Sequence, residues 1–214
     1  MATPTTYPLD REKHAKYWKR CYSSFLPYQY TASESTRLMW ASFIVSAHDL
    51  LSLPLDTAER ERVRVWVLGL QHPDGGFCGS PTHLPPGAAV DGRWRDGDRG
   101  HANLAATFFA LVTLAIVADK DSESEVRSAF VGVNRGRLLR WLRRLQRDDG
   151  SFGQYLWDGE AVGGSDTRHS YLACSIRWML RGHVEEGDAA WEQDIDVDAT
   201  VADIRRGQVR PLSP

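Results

Sequence analysis

A seven-residue pattern that occurs twice constrains this chain more than any other feature. Residues 71–77 read QHPDGGF and residues 146–152 read QRDDGSF, and each segment follows a run that is typical of a helix. Glycine permits the positive φ that a tight reversal after a helix needs. Aspartate can accept a hydrogen bond from the backbone amide two residues on, and phenylalanine can pack between two helices. The repeat therefore predicts two equivalent structural corners, each a helix end closed by an aromatic side chain, rather than a site of direct chemistry.

Most of the remaining sequence is typical of helix. Ser33 is a candidate N-cap, and Asp56 and Glu59 have the spacing of a capping box. Residues 72–100, rich in Gly, Pro and Asp, indicate a loop or an insertion. No segment alternates with a period of two, so we predict an all-α fold of repeated helical hairpins. The predicted helices cover residues 9–26, 33–53, 56–71, 101–119, about 122–146 with a break near 132–136, 167–182, and a last helix that begins near 188.

The composition narrows the functional classes. A formal net charge of −2 over 214 residues creates no overall field toward nucleic acid or a membrane, and neither is expected as a partner. The three cysteines are widely spaced, which argues against a disulfide framework and predicts a reducing, cytoplasmic location. The longest apolar stretch, residues 104–118, is too short to span a bilayer, and we expect no transmembrane segment and no signal peptide.

The repeated pattern and four further blocks resemble a known family. The repeat is similar to the hallmark of the α/α-toroid β subunits of protein prenyltransferases. Blocks similar to helices of these β subunits follow in the same order, and the type I geranylgeranyltransferase β subunits resemble the chain most. The resemblance implies a partial α/α toroid of helical hairpins. The four blocks are LDREKHAKYWKRC at 9–21, SESTRLMWASFIVSAHDLL at 33–51, GHANLAATFFALVTLAIV at 100–117 and GGSDTRHSYLACSIRWML at 163–180.

The resemblance also implies a function. Such a β subunit pairs with an α subunit and transfers a geranylgeranyl group from geranylgeranyl diphosphate to the cysteine of a C-terminal CaaX motif, as on small GTPases. A zinc ion holds the cysteine thiolate, since the metal lowers the thiol pKa. The implied partners are therefore an α subunit, geranylgeranyl diphosphate and CaaX-terminated proteins, and the implied cofactor is zinc.

Four residues of this chain match substrate-binding positions of the family. His101 and Arg168 match residues that hold the CaaX carboxylate through water, and a guanidinium is a suitable partner for a carboxylate. Met39 and Phe43 match the lipid pocket, where farnesyl-specific relatives carry Trp in place of Met39. From the residues alone, Arg168 is better explained as a solvated arginine and His101 as a helix cap, while Met39 and Phe43 could equally be core residues. Two positions depart from the peptide-site pattern of the family, Gly164 where an acidic residue is usual and Asn103 where a small apolar residue is usual.

The family's zinc ligands, an Asp, a Cys and a His from the later half of the toroid, have no match in this chain. Gln208 stands where a third corner would begin, but VRPLSP follows it instead of Asp-Gly-Gly. We therefore predict an incomplete toroid over residues 1–208, an aberrant tail at 209–214, and a truncated, inactive form. No catalytic residue and no metal ligand is assigned.

Three alternatives remain for the function. A farnesyltransferase β subunit differs only in the prenyl group that it transfers. A non-catalytic half-toroid that binds an α subunit belongs to another class. A terpene cyclase of the same fold is disfavoured, because its Asp-x-Asp-Asp motif is missing and Asp194, Asp196 and Asp198 only alternate with apolar residues.

Overall fold

The computed structural model describes residues 9–25, 27–82, 101–118, 129–181, 187 and 194–207. Helices dominate these residues, and one short hairpin of two strands accompanies them. The helices are α1 (Arg11–Ser23), α2 (Arg37–Leu50), α3 (Thr57–Leu68), α4 (Leu104–Ile116), α5 (Arg135–Arg144), α6 (Thr167–Arg181) and α7 (Val197–Gly207), with a 3₁₀ helix at Tyr28–Thr36 and strands β1 (Tyr155–Trp157) and β2 (Glu160–Val162).

The helices form two layers. In the inner layer, α2 packs along α4 and α4 packs along α6. The outer helices cover them: α1 lies on α2, α3 lies on α4, and both α5 and α7 contact α6. The apolar core lies between the layers, which is why leucines of α4 and α5 and an aromatic side chain of α5 are withdrawn from solvent. Its fully buried members include Leu104, Leu111, Leu114, Leu138, Trp141, Leu142 and Ile176.

The two repeated segments adopt the same structure. Gln71 bridges to Phe77, and Gln146 bridges to Phe152, in the same antiparallel sense. The amide of His72 donates to the carbonyl of Gly76 at 2.7 Å, and at the equivalent position Arg147 donates to Ser151 at 2.8 Å. Both phenylalanines are buried, so the predicted aromatic closure is confirmed.

These corners bring the N-terminal ends of the inner helices to one side of the layer. The amide of Leu38, in the first turn of α2, donates to the carbonyl of Gly79 just after the first corner (2.9 Å). The amide of Asn103, before α4, donates to Phe77 (3.1 Å), and the amide of Leu104 donates to Gln154 after the second corner (2.8 Å). Each corner therefore ties the starts of neighbouring inner helices together.

The glutamine of each corner has a role that the sequence did not indicate. Gln71 exchanges hydrogen bonds with the backbone of Asn134, the N-cap of α5, at 3.0 and 3.3 Å. Gln146 does the same with the backbone of Asp196, both at 2.7 Å, and also donates to Thr200 of α7 (2.9 Å). We call these two contacts the glutamine clamps. Each one fixes a corner to the first turn of the next outer helix.

One glycine of each corner lies against the first turn of the outer helix that the glutamine clamp holds. Gly75 has φ +129° and Gly150 has φ +86°. A Cβ atom built on Gly75 would overlap the carbonyl of Arg137 in α5, and one on Gly150 would overlap the carbonyl of Ala199 in α7. Only glycine satisfies both the backbone angle and the close approach.

Two predicted helix starts are wrong. Ser33 is not a cap, because it lies inside the 3₁₀ helix that leads into α2. In the same 3₁₀ helix, Glu34 accepts from Ser80 (2.7 Å), Arg37 (2.7 and 2.9 Å) and Thr82 (2.9 Å). Burial opposes ionisation of Glu34, but these hydrogen bonds outweigh it and lower its pKa. Helix α4 starts after the predicted position, with Asn103 as its cap.

The predicted last helix begins later than expected, since residues 194–196 are irregular and α7 starts only at Val197. The capping box of Asp56 and Glu59 is present at the start of α3, with bonds of 2.7 and 3.0 Å. Residues 122–128 and 188–193 of two predicted helices, Gln208 and the proposed tail at 209–214 lie outside the described part of the chain.

Candidate functional site

A row of aromatic side chains crosses the inner helices. Trp40 and Phe43 of α2 are in edge contact, with ring centroids 6.1 Å apart, and Phe43 meets Phe109 of α4 at 5.4 Å. Phe109 contacts Phe108 at 5.4 Å, and Phe108 contacts Tyr171 of α6 at 5.9 Å. We call these five residues the aromatic row. Consecutive contacts of this kind link all three inner helices without a break.

The members of the aromatic row on α2 and α6 are open to solvent, whereas Phe108 and Phe109 of α4 are half-buried against the core. Trp40 is 39 %, Phe43 42 % and Tyr171 61 % exposed. Two turns beyond Tyr171 on α6, Trp178 is 74 % exposed, and the thiol of Cys174 lies between them in sequence, its pKa raised by burial. A large apolar surface in contact with water is available to an extended apolar ligand, because covering it releases water from both partners.

The two residues that were predicted to line the lipid pocket, Met39 and Phe43, have different surroundings. Phe43 lies in the middle of the aromatic row, and its ring joins α2 to α4. Met39 is half-buried one turn earlier on α2. A thioether side chain is flexible and can yield space to a neighbouring chain. The positions of both residues are compatible with the predicted pocket, while their role stays a prediction.

His101 packs against two aromatic side chains of the β hairpin. Its ring stacks on Tyr155 with centroids 6.0 Å apart and meets the edge of Trp157 at 5.1 Å. The hairpin itself turns through Asp158 and Gly159, both with positive φ, which suits a two-residue hairpin turn. His101 is not the helix cap, since Asn103 accepts from the amide of Ala106 (2.8 Å) in that role.

Arg168 lies in the first turn of α6 with an 84 % exposed side chain. Its guanidinium donates two hydrogen bonds to Asp166, at 2.6 and 2.9 Å, and its backbone amide donates a third at 2.8 Å. These bonds, the side-chain ones first, lower the pKa of Asp166 to about 2. The same ion pair raises the pKa of Arg168.

The structure does not join the two predicted peptide-binding residues directly. Within the described ranges, no hydrogen bond or ion pair connects His101 to Arg168. They lie at the starts of neighbouring inner helices and are linked through the segment after the second corner, which pairs Tyr155 with Asn103 and brings the carbonyl of Phe152 to 3.2 Å from Nδ1 of His169. Asp166 supplies the carboxylate that Arg168 contacts here.

We predict that the carboxyl group of Asp166 titrates near pH 2 and that Arg168→Gln raises this pKa toward the ordinary value of about 3.9. Since the folded pKa is depressed, the contribution to stability is present above the unfolded pKa and is lost as the pH falls through about 2. NMR titration of the side-chain carboxyl carbon measures it. The variant Arg140→Gln, on the exposed side of α5, is the control and leaves Asp166 unchanged. A wild-type Asp166 that titrates near 3.9 contradicts the assignment.

Sequence reasoning missed four of the five aromatic-row residues, and it assigned no role to Asp166. The row had a signal: Trp40 and Phe43 are three positions apart in a predicted helix, a spacing that puts them on one face. The partners of Phe43 on α4 and α6 lie far along the chain, so only packing reveals them. The missed residues of the row are Trp40, Phe108, Phe109 and Tyr171.

The described residues contain no helix that is both long and apolar enough to cross a bilayer. In the same part of the chain, no three His, Cys, Asp or Glu side chains come together in a group that could hold a metal ion. Asp194 instead pairs with Arg177 (2.6 Å) and Arg181 (3.3 Å), and Asp196 caps α7 through the amide of Ala199 (2.9 Å). Both aspartates therefore have structural roles, and no step through zinc is assigned to this chain.

The inner helices start side by side, the glutamine clamps hold the outer helices over them, and the glycine corners repeat. This arrangement is an α/α toroid of helical hairpins. The family model of the prenyltransferase alpha-alpha toroid domain matches residues 9–210, and the chain belongs to this family. The prediction of an all-α toroidal fold and of kinship with protein prenyltransferase β subunits is thus confirmed.

Known relatives include both types of β subunit. The chain is 26 % identical over 172 residues to the protein farnesyltransferase subunit beta of Schizosaccharomyces pombe, with 80 % of this chain and 37 % of the relative covered. It is 28 % identical over 190 residues to the geranylgeranyl transferase type-1 subunit beta of Dictyostelium discoideum, covering 80 % and 50 %. The chain thus spans half or less of the length of these curated relatives.

A solved structure shares the fold. The protein geranylgeranyltransferase-I of Candida albicans, determined in complex with GGPP, superposes with a TM-score of 0.70 at 20 % sequence identity. The similarity covers 93 % of this chain and 51 % of that chain. Most of the present chain therefore corresponds to about half of a toroid.

Proposed function

We propose that this chain is a β subunit of protein geranylgeranyltransferase type I and that its inner face binds the prenyl chain of geranylgeranyl diphosphate. The aromatic row carries this proposal. It offers a continuous series of ring contacts across α2, α4 and α6, exposed on α2 and α6 and half-buried on α4, and an isoprenoid laid on it buries apolar area worth about 25 cal/mol per Å². Aromatic rings also hold their shape on binding, since few side-chain torsions must be fixed.

Met39 favours the longer prenyl group. In farnesyl-specific relatives the resemblance places a Trp at this position, which shortens the pocket, whereas a half-buried methionine can move aside. The relatives include both farnesyl and geranylgeranyl types, so the choice between them rests on this residue and on the Candida neighbour that was solved with GGPP.

We expect the 214-residue chain to bind geranylgeranyl diphosphate more tightly than farnesyl diphosphate, and Met39→Trp to reverse this order. The added indole fills the space of the last isoprene unit, so affinity for the longer lipid falls about tenfold or more while farnesyl diphosphate is retained. Isothermal titration calorimetry with both lipids measures the ratio.

Two matched phenylalanine variants test whether the lipid lies on the aromatic row. Phe43→Ala removes the central ring and is expected to weaken both lipids, whereas Phe25→Ala, at a phenylalanine that is 97 % exposed and outside the row, leaves them unchanged. Equal effects of the two variants, or a lipid preference that Met39→Trp does not alter, would count against the proposal.

On the peptide side, we place His101 and Arg168 around the carboxylate of a CaaX substrate. Arg168 is exposed at the start of α6, and its present partner is the carboxylate of Asp166 (2.6 Å). A substrate carboxylate would share or replace that contact.

This proposal also includes an α subunit as partner, zinc as cofactor, CaaX proteins as substrates and a cytoplasmic location. Inactivity of the 214-residue chain stays a prediction, and turnover of a CaaX peptide ending in Leu, with an α subunit and zinc, would refute it.

One observation favours the non-catalytic alternative, a half-toroid that binds an α subunit. Apolar side chains of the last two described helices are exposed: Trp178 of α6, and Val197, Val201 and Ile204 of α7 at 43 %, 37 % and 40 %. The last three are spaced four and three residues apart, so they share one helix face. Stable co-purification with an α subunit without any binding of prenyl diphosphate would select this alternative.

A further inference from the structure

The first helix and the turn after it carry an excess of positive charge. Between Asp10 and Ser33 the chain has five basic and two acidic side chains, a net charge of +3, whereas the whole chain carries −2. Lys13 pairs with Asp10 at 2.9 Å. Among the described residues, no carboxylate lies within 4.0 Å of Lys16 or Arg20. The nearly neutral chain thus contains a local positive patch.

Most of these cations lie on one face of α1. Lys13, Lys16, Tyr17 and Arg20 are spaced three, one and three residues apart, which places them on the same side of a helix. All four are exposed, so this face is turned away from α2, against which α1 packs. Glu12 is the only acidic residue within α1 and is included in the net charge. We call the four residues the basic face.

Exposed aromatic rings adjoin the basic face. Tyr17 is 58 % exposed, and in the turn between α1 and the 3₁₀ helix Phe25 is 97 % and Tyr28 is 89 % exposed. The 3₁₀ helix then returns past α1: a hydrogen bond with the Cys21 thiol and, more weakly, the charge of an ionised Tyr30 raise the pKa of Tyr17. Cations and solvated rings therefore occupy neighbouring parts of one surface.

This combination is more typical of a membrane-binding surface than of a protein interface. Lysine is depleted in protein–protein interfaces, whereas lysine and arginine beside exposed aromatic side chains are typical of helices that lie on a membrane. The cations are attracted by the negative potential of anionic lipids. Tyrosine and phenylalanine can place their rings at the level of the head groups, and a fluid interface receives such rings without a preformed pocket.

We propose that this surface docks the chain on an anionic phospholipid membrane, with Lys16 and Arg20 over the lipid head groups and the rings of Phe25 and Tyr28 inserted among them. The net charge of the whole chain gave no reason to expect a membrane, because it averages the patch with an acidic remainder. The docking is peripheral and reversible, since a few cations and rings bind far less tightly than a spanning helix. The surface shares no residue with the aromatic row and does not depend on the function proposed for that row.

Co-sedimentation of the 214-residue chain with vesicles tests the proposal. One set of vesicles is pure phosphatidylcholine, and in the other phosphatidylserine makes up about a third of the lipid. We expect binding only to the second set, and its loss in about 1 M salt, where charges are screened within about 3 Å. Arg20→Gln should weaken binding about fivefold, and Phe25→Ala about tenfold. Both side chains are exposed, and an unchanged melting temperature confirms that the variants fold.

Matched variants assign the binding to this surface. Lys16→Arg keeps the charge and should keep the affinity. Arg140→Gln removes an exposed arginine on α5, outside the surface, and should change the affinity by less than about twofold. Failure to bind the phosphatidylserine vesicles, equal binding to both sets, or equal effects of Arg140→Gln and Arg20→Gln would overturn the proposal. Binding that Arg20→Gln and Phe25→Ala both leave intact would overturn it too.

A protein partner is the competing occupant of this surface. The same assay is therefore repeated with an equimolar prenyltransferase α subunit, and we expect binding to the phosphatidylserine vesicles to persist. Loss of vesicle binding on addition of the α subunit would show that a protein covers the surface and would overturn the proposal.

Discussion

Gly150→Ala should destabilise the protein by about 3 to 5 kcal/mol. The residue has φ +86°, where an L-residue costs about 1 to 2 kcal/mol. Its new Cβ would also overlap the carbonyl oxygen of Ala199 in the first turn of α7, and backbone atoms cannot move aside as a flexible side chain can. The corner and α7 would have to separate, which breaks the glutamine clamp at Gln146 as well. Urea denaturation followed by circular dichroism measures the loss.

Gly159→Ala separates the two causes. Gly159 has almost the same backbone angle, φ +89°, but its nearest neighbour for a Cβ is the flexible end of Arg144 at 3.9 Å. This variant should lose only the backbone cost, about 1 to 2 kcal/mol. Equal losses for the two variants would show that contact with α7 does not matter. Gly75→Ala, which meets the carbonyl of Arg137 in the same way, should behave like Gly150→Ala.

Phe152→Ala should cost about 3 to 5 kcal/mol, because it removes a phenyl ring that is only 1 % exposed and leaves a cavity in the core. The loss should also disturb neighbouring contacts, since the backbone of Phe152 bridges to Gln146 and its carbonyl accepts from His169 in the first turn of α6. Differential scanning calorimetry, with chemical denaturation as a second method, measures the change.

The control for this prediction is Phe25→Ala, the same substitution at a fully solvated ring, which should stay within about 0.5 kcal/mol of the wild type. A loss below about 1 kcal/mol for Phe152→Ala would mean that the ring does not close the second corner. The variant Phe77→Ala extends the test to the first corner, where the ring is completely buried.

Interactions between residues close together in the sequence could be predicted, whereas interactions between distant residues could not. The capping box of Asp56 and Glu59 and the glycine and phenylalanine of each corner act within a few residues, so their pattern in the sequence was sufficient. The hairpin also had a local signal in Asp158-Gly159, but its strands have only three residues each and show no clear alternation.

The interactions that were missed join distant parts of the chain. The partner of Gln71 is the backbone of Asn134, 63 positions away. Because almost every residue type supplies the same backbone N–H and C=O groups, the sequence does not indicate such a contact. The start of α2 depends on Gly79 and Ser80, which lie beyond the next helix. Among the site residues, the resemblance to a family pointed to Arg168 and His101, whereas Asp166 and the rings around His101 became visible only through their distances.

The glutamine clamps impose an order on how the chain can acquire its structure as it leaves the ribosome. Gln71 and Gly75 are made long before Asn134 and Arg137, so the first corner remains half-finished until the following hairpin has been synthesised. The clamp at Gln146 likewise cannot form until Asp196, 50 residues later, has been synthesised. A nascent chain halted between these points exposes an unsealed glycine turn and apolar side chains that the next outer helix covers in the folded protein, which is the kind of intermediate that chaperones recognise.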